Sequence, residues 1–278
     1  MYDLQLHTTT RHQLERLARQ LPHGLLLAGQ EGLNLQAAAR YVAEMADART
    51  LWILPEKDEK VDEVEGRITI DIIRRLYRQT EGKQEGPLIV ILTRADTMQA
   101  PAQNAFLKLL EEPAPLVHFV LLADHPEMLQ ATIVSRVQTV YMQRITAEQS
   151  GRLLTALHIN DATRRQQLLF LAEGLPLRLH QLATNESLFR DEVELLKTAH
   201  TLIGASKYER LVHCYKAKYT RQTARQLVDY MLTALQRTIE TKQRAAPQLV
   251  ELLAKLVEAR KLLEYNVNVR LTLCAALL

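Results

Sequence analysis

The chain has 278 residues, of which 47% are hydrophobic and 24% are charged, with nine glycines, nine prolines and two cysteines. This length allows two or three domains of ordinary size, and the composition excludes a disordered or fibrous protein. The formal net charge of +3 permits nucleic-acid binding but lacks the strongly basic balance that would indicate it.

The sequence has no recognisable signal for export, membrane insertion or metal binding. No apolar run approaches the roughly 20 residues that a membrane-spanning helix needs. The N-terminal stretch MYDLQLHTTTRHQLERL has no apolar signal core. Cys214 and Cys274 are far apart in sequence and lack metal-ligand spacing, which favours two buried thiols over a zinc site or a disulfide framework. We therefore expect a cytoplasmic protein with no metal site and no membrane partner.

Predicted helices and apolar strands alternate along the first half of the chain. In chain order they are a helix over TTTRHQLERLARQL with hydroxyl residues suited to capping, the strand GLLLA, the helix LQAAARYVAEMA, the strand TLWIL, a solvated acidic loop EKDEKVDEVEG, the helix TIDIIRRLYRQT capped by Thr69, the strand PLIVILT, the helix PAQNAFLKLLEE, and the strands VHFVLLA and VQTVYMQ. Continuous apolar strands between helices predict a parallel sheet that is covered on both faces.

Strand-like runs stop near Ile145, and nearly everything that follows has helical periodicity. We therefore predict an α/β domain over residues 1–143, a small helical unit over 144–185 and an all-helical domain over 186–278.

The turn after the first strand, GQEGLNLQ, lies where an α/β domain would hold phosphate. Such a loop needs glycines, a lysine for the β and γ phosphates and a hydroxyl for magnesium. Gly29 and Gly32 are present, but Asn34, Leu35 and Gln36 stand at the last glycine, the lysine and the Ser/Thr positions. The loop has thus lost its charge and its metal ligand. A residual, non-hydrolytic nucleotide pocket stays open as an alternative.

A second loss lies at the end of the strand PLIVILT. Nucleotide hydrolases place an acidic pair there to hold the metal and activate water. Thr93 and Arg94 occupy these positions, and a cation is electrostatically unfavourable beside a magnesium site. These two independent losses predict that the chain does not hydrolyse ATP. The loop after the first strand and the end of PLIVILT would then only connect a strand to the helix that follows it.

Five segments occur in the order and spacing found in bacterial clamp-loader subunits of the AAA+ family, and the chain most resembles the delta-prime type of DNA polymerase III. They are GQEGLNLQAAARYVAE, TIDIIRRL, TRADTMQAPAQNAFLKLLEEP, HFVLLAD and TIVSRVQTVYM. The resemblance covers roughly residues 20–185, and its most specific part runs from Ala95 to Pro113.

The resemblance implies an AAA+ fold with a helical lid and a C-terminal helical collar that joins a five-subunit ring. ATP and magnesium in such rings are bound by a neighbouring subunit, and each site is completed by an arginine from a Ser-Arg-Cys motif. Ser135, Arg136 and Val137 match that motif, with valine replacing the cysteine. The delta-prime type does not itself hydrolyse ATP, so the resemblance implies a structural subunit that donates Arg136.

The implied partners are ATPase subunits of the gamma/tau type, a delta-type subunit, the sliding clamp and primer-template DNA reached through the complex. Many subunits of this kind carry a four-cysteine zinc module where this chain has only DARTLWILPEKDEKVDEVEG. A zinc role is therefore not carried over.

Three further basic residues match positions with roles in related subunits. Arg178, in AEGLPLRLHQL, matches a lid arginine that senses nucleotide, but a surface ion pair explains it as well. Lys108 and Arg74 match positions that reach the DNA backbone, a type of contact that is sequence-independent and salt-dependent. A solvated helix face accounts for these two residues equally well.

Three functional hypotheses remain. We favour a non-hydrolysing clamp-loader subunit that supplies Arg136 in trans. An active ATPase subunit would need a lysine at position 35 and acids at positions 93 and 94. A stand-alone adaptor or DNA-binding protein on a relic AAA+ frame would be indicated by purification without clamp-loader partners.

Overall fold

The computed structural model describes residues 5–82, 84–242, 247–265 and 267–278. The described residues do not include 1–4, at the start of the N-terminal stretch, or 83, 243–246 and 266, inside the predicted domains. The chain divides into two compact units, Met1–Thr184 and Asn185–Leu278. The division of the first unit into residues 1–143 and a lid over 144–185 stays a prediction.

The first unit is an α/β unit that ends in helices. Its elements are α1 (Thr8–Arg19), β1 (Gly24–Ala28), α2 (Leu35–Met45), β2 (Arg49–Ile53), β3 (Glu56–Lys57), β4 (Lys60–Val61), α3 (Ile70–Thr80), β5 (Leu88–Leu92), α4 (Ala100–Glu111), β6 (Val117–Ala123), α5 (Ala131–Val134), β7 (Gln138–Tyr141), α6 (Ala147–Ala156), α7 (Ala162–Ala172) and α8 (Pro176–Thr184). Short 3-10 turns, Ala95–Thr97 and Pro126–Met128, precede α4 and α5.

Among the described residues, five parallel strands form a sheet in the order β2-β5-β6-β1-β7. Every residue of β1 and β5 is buried, as expected for apolar strands between two helical layers. Val90 and Phe119 pack in a core with α3 and α4, whereas Ile89 and Val120 pack in a second core with α1 and α2. The predicted parallel sheet with helices on both faces is confirmed.

The structure corrects three local predictions, two of them only in part. The threonines do not cap α1, because the imidazole of His7 accepts a hydrogen bond from the Thr9 backbone N–H at 3.3 Å. Thr69 stands at the N-terminus of α3 but makes no side-chain capping bond. The acidic segment is largely exposed, as predicted for a solvated loop, but β3 and β4 pair within it as an antiparallel hairpin.

The second unit is helical throughout its described residues. Its helices are α9 (Glu186–Gly204), α10 (Lys207–Lys216), α11 (Arg221–Lys242), α12 (Pro247–Leu262) and α13 (Val269–Leu277). Leu227, Met231 and Leu235 recur at helical spacing in α11 and are fully buried. A buried carboxylate, Glu192, accepts hydrogen bonds from Gln226 at 3.1 Å and from the Tyr230 hydroxyl.

The two cysteines differ in burial. Cys214 in α10 is buried as predicted, whereas Cys274 in α13 is partly exposed, which corrects the expectation of two buried thiols. Burial, and then the nearby Cys274, raise the pKa of Cys214 to about 12. A thiol with this pKa is unreactive at neutral pH. No helix in the described part of the chain has the length and apolar character to cross a membrane.

Candidate functional site

The phosphate-loop position joins β1 to α2. Asn34 adopts a left-handed conformation with φ 60°, and its side-chain oxygen accepts a hydrogen bond from the Ala37 backbone N–H at 3.3 Å. Asparagine tolerates this conformation better than most residues with a side chain. Asn34 therefore makes the turn that a glycine would make and also caps α2.

Leu35, at the lysine position, belongs to the apolar core. Its side chain is buried among Leu33 and Leu175. The next residue, Gln36, is exposed at the surface. The positions that would supply charge and a magnesium ligand thus hold a core leucine and a solvated amide.

The chain from the end of α7 to the first turn of α8 packs directly on the loop. The Leu177 backbone N–H donates to the Gly32 carbonyl at 3.0 Å. Arg144 donates to the side chain of Gln30 at 2.8 Å and pairs with Glu173 at 3.2 Å. These bonds join the loop to the chain that follows β7, to the end of α7 and to the first turn of α8, so protein contacts hold the loop on this side.

The end of β5 carries no acidic side chain. Thr93 is buried, and its hydroxyl donates to the Ile53 carbonyl at 3.2 Å. Arg94 has a left-handed backbone with φ 46°, and its guanidinium donates to the carbonyls of Glu63 and of Val64, the latter at 2.7 Å. Arg94 therefore attaches the acidic hairpin region to the edge of the sheet.

Sequence analysis missed a group of acids near this edge. Asp124 follows β6, and burial, followed by the charges of Asp96 and Glu31, raises its pKa to about 6, while His125 and Arg94 act in the opposite direction. Such a shift is the usual result of placing like charges together in a partly buried place. The available signal was that Asp96 and Asp124 each follow closely on one of two buried apolar strands.

One of these acids has an unsatisfied atom. The Oδ1 atom of Asp96 is buried without a hydrogen-bond partner. Within the described residues, no group of three or more His, Cys, Asp or Glu side chains has an arrangement that could hold a metal ion. The acids therefore repel one another electrostatically without forming a ligand set.

Arg136 lies between α5 and β7 at the surface. Its Nη2 pairs with Glu111 Oε1 at 2.8 Å, and its Nη1 donates to the Thr132 carbonyl at 3.0 Å. The Ser135 hydroxyl donates to the same carbonyl at 3.1 Å. Val137, which stands where the motif has a cysteine, is partly buried and packs against the core. The arginine side chain is 40% exposed and so is accessible to a partner.

The other three basic positions lie on three different helices, α8, α4 and α3. Arg178 is partly buried in the first turn of α8. It follows Leu177, whose backbone N–H donates to the Gly32 carbonyl in the loop after β1. Lys108 is exposed on α4, and Arg74 is exposed on α3, where it pairs with Asp71 at 3.3 Å.

Solved structures with a similar architecture identify the class of fold. A DNA polymerase III gamma subunit-related protein from Thermotoga maritima superposes with a TM-score of 0.56 at 19% identity, covering 96% of each chain. The RuvB Holliday junction branch migration motor of Thermotoga maritima superposes with a TM-score of 0.51 at 11% identity, covering 86% of this chain and 78% of its own. The chain therefore has an AAA+ fold.

Sequence comparison identifies a narrower resemblance. Residues 46–146 match the family model described as DNA polymerase III, delta subunit. DNA polymerase III subunit delta' of Haemophilus influenzae is 31% identical over 121 residues, covering 38% of this chain and 37% of that protein. The same subunit of Pseudomonas aeruginosa is 34% identical over 125 residues, covering 43% of this chain and 38% of that protein.

The matched part of the chain thus spans less than two fifths of either relative, at 37% and 38% of their lengths. Within that part, the resemblance to clamp-loader subunits of the delta-prime type is confirmed.

Proposed function

We propose that the chain is a non-hydrolysing, delta-prime-like subunit of a replicative clamp loader. The observation that carries this proposal is the contrast between Leu35 and Arg136. The first is buried where a phosphate-binding lysine would stand, whereas the second is exposed in the motif that serves a neighbour. The chain has therefore lost the side chains for its own nucleotide and kept the one that acts on another subunit's nucleotide.

Arg136 would act as an arginine finger in trans. A guanidinium has five N–H donors in a planar fork that matches phosphate oxygens. Placed beside the transferring phosphoryl group, it stabilises the charge that develops in the transition state. ATP and magnesium would be bound by the neighbouring subunit, so the chemistry at that site depends on two chains.

Partners follow from the same proposal. The chain would join gamma/tau-type ATPase subunits and a delta-type subunit, and the complex would place a sliding clamp on primer-template DNA. The second unit would form the collar through which subunits assemble, and its α13 offers Leu271, which is 67% exposed. Lys108 and Arg74, both exposed, would be available to the DNA backbone.

Reconstitution tests this proposal. The chain is mixed with gamma/tau-type and delta-type subunits from its own source, and the mixture is separated by size-exclusion chromatography. We expect one complex that contains this chain, and clamp loading on primed DNA that falls when the chain is left out. Separate elution together with unchanged loading would instead support the stand-alone adaptor.

A further inference from the structure

The guanidinium of Arg136 is held at two points by its own chain. Its two terminal nitrogens contact Glu111 Oε1 at 2.8 Å and the Thr132 carbonyl at 3.0 Å. Glu111 is the last residue of α4, and Thr132 lies in the single turn of α5. Only one N–H of each terminal nitrogen is needed for these bonds, so three of the five N–H donors remain for an anion.

The segment that carries Arg136 is itself attached to α4. Gln103, which is buried, donates from Nε2 to the carbonyls of Met98 at 3.1 Å and Met128 at 3.2 Å. Its Oε1 accepts a hydrogen bond from the Gln130 backbone N–H at 2.7 Å. A buried amide with three such bonds fixes the start of α5, since breaking them would leave buried polar groups without partners.

The two ends of α5 are therefore held by opposite ends of one helix. Gln103 near the start of α4 holds the residues before α5, and Glu111 at the end of α4 holds Arg136 after it. A helix of four residues has too few internal hydrogen bonds to fix its own orientation. The direction of Arg136 thus depends on contacts with α4.

We infer that Glu111 is a positioning residue for Arg136. This inference rests on the proposed role of Arg136 in trans. Glu111 holds one edge of the guanidinium so that the remaining donors face outward before the neighbour's phosphate arrives. Preorganisation of this kind accelerates the chemical step because the side chain does not have to be ordered in the transition state.

The ordinary contribution of an exposed ion pair is the competing explanation. Glu111 and Arg136 are 50% and 40% exposed, and ion pairs as exposed as this contribute little to fold stability. Fold stability is therefore a poor readout for this pair. Turnover at the neighbour's site separates positioning from a surface contact without function.

The test uses the complete complex with ATP, primed DNA and clamp. The turnover that Arg136→Ala removes is defined as the Arg136-dependent turnover. Glu111→Ala should reduce this portion about three- to tenfold in kcat and change the KM for ATP less than about twofold, because the arginine acts on charge that develops in the transition state. Glu111→Gln keeps an acceptor at the same place and should recover a measurable part of the loss.

Matched variants make the result specific. Glu112→Ala removes an adjacent exposed carboxylate without a side-chain bond in the described structure, and turnover should stay unchanged. The double variant Arg136→Ala with Glu111→Ala should be no slower than Arg136→Ala alone, since both changes act through one group. The unfolding midpoint of each purified variant should stay within about 2 °C of the unaltered chain, consistent with an exposed pair.

The outcomes are distinguishable. If Arg136→Ala slows the complex but Glu111→Ala does not, the positioning role is wrong and the proposed function stands. If Arg136→Ala has no effect in an assembled complex, the proposed function fails, and the inference about Glu111 fails with it. An equal loss in Glu112→Ala, or a further loss in the double variant, would also overturn the positioning role.

Discussion

Leu175 packs directly against Gly32. A Cβ atom built on Gly32 would lie 3.2 Å from the Cβ of Leu175, and the backbone φ of Gly32 is 95°. The positive φ favours glycine at this position, and a Cβ atom there would also crowd the side chain of Leu175. Gly32 therefore has a role in the packing of Leu175 on the loop, and this role needs no phosphate.

The first prediction is that the isolated chain neither hydrolyses ATP above background nor binds it tightly. Leu35 is in the core and Gln36 lacks a hydroxyl, so the backbone N–H groups would have to hold the phosphates without charge-assisted side-chain contacts. Turnover is measured on purified protein and binding by calorimetric titration. Tight magnesium-dependent binding, or turnover that is lost when the 29–36 loop is changed, would contradict the prediction.

Leu35→Lys provides a control for the same prediction. A charge introduced at this buried position should lower the free energy of unfolding by about 2–4 kcal/mol and should not create ATP binding. Leu35→Met, which conserves volume, should cost less than about 1.5 kcal/mol. Tight ATP binding by a folded Leu35→Lys chain would show that the leucine alone prevents binding.

The second prediction concerns the pH dependence of stability. The pKa of Asp124 is about 6 in the folded chain, raised from 3.8. The folded state therefore binds this proton more tightly than the unfolded state, so the contribution of Asp124 to stability falls as pH rises from about 4 to about 6 and stays lower above that range. Because the carboxyl is partly exposed, we expect a penalty of only about 1 kcal/mol at neutral pH.

Asp124→Asn removes this penalty. The variant should be about 1 kcal/mol more stable than the unaltered chain at pH 8 and equal to it below about pH 3, where the Asp124 carboxyl is neutral in the folded and the unfolded state. Urea unfolding at the two pH values measures the difference. A stability difference that does not change with pH would show that Asp124 is not the group responsible.

The third prediction is that Arg94 stabilises the hairpin region. Arg94→Ala removes two hydrogen bonds to the carbonyls of Glu63 and Val64. The opening free energy of this region should fall by about 1 kcal/mol, which corresponds to roughly fivefold faster amide exchange. Exchange is measured at the Gly66 N–H, which donates to the Asp62 carbonyl at 3.0 Å.

Arg78→Ala is the matched control for Arg94. Among the described residues, its side chain bonds to the carbonyl of Arg74 in its own helix, at 3.5 Å, and makes no bond to the hairpin, so exchange in the hairpin should not change. Equal protection of Gly66 in Arg94→Ala and in the unaltered chain would mean that other contacts hold the hairpin.

The sheet could be predicted from sequence because its strands are buried on both faces. GLLLA in β1 and LIVIL in β5 are apolar at every position, so their strand character is visible without knowledge of the fold. The hairpin was not predictable in this way. Its strands Glu56–Lys57 and Lys60–Val61 are short and charged, and they depend on tertiary contacts such as the 2.6 Å pair between Arg75 and Glu56.

The candidate site shows the same distinction. The absence of a lysine at Leu35 and of an acid at Arg94 follows from the positions of these residues in a motif, so both were visible in the sequence. The mutual influence of Asp96, Asp124 and Glu31 depends on which strand ends are neighbours, a property of the strand order that sequence periodicity does not contain.

The last prediction is the trans role of Arg136. An arginine finger contributes on the order of 10³–10⁵ in rate at its own site. Arg136→Ala should therefore abolish most hydrolysis at one site of the assembled complex. Total ATP hydrolysis should fall only in part because other sites have their own arginines, and clamp loading should fall further because it needs coupled sites.

Arg152→Ala is the matched control for Arg136→Ala. Arg152 is an exposed arginine paired with Glu148 on its own helix at 2.5 Å, so its removal should leave turnover unchanged. Size-exclusion chromatography establishes that both variant complexes assemble.

The most direct measurement is DNA-stimulated ATP hydrolysis and clamp loading by the complex that contains Arg136→Ala. The proposed function predicts an intact complex with reduced hydrolysis and a larger reduction in loading. Hydrolysis and loading at the rates of the unaltered complex, with assembly confirmed, would contradict it.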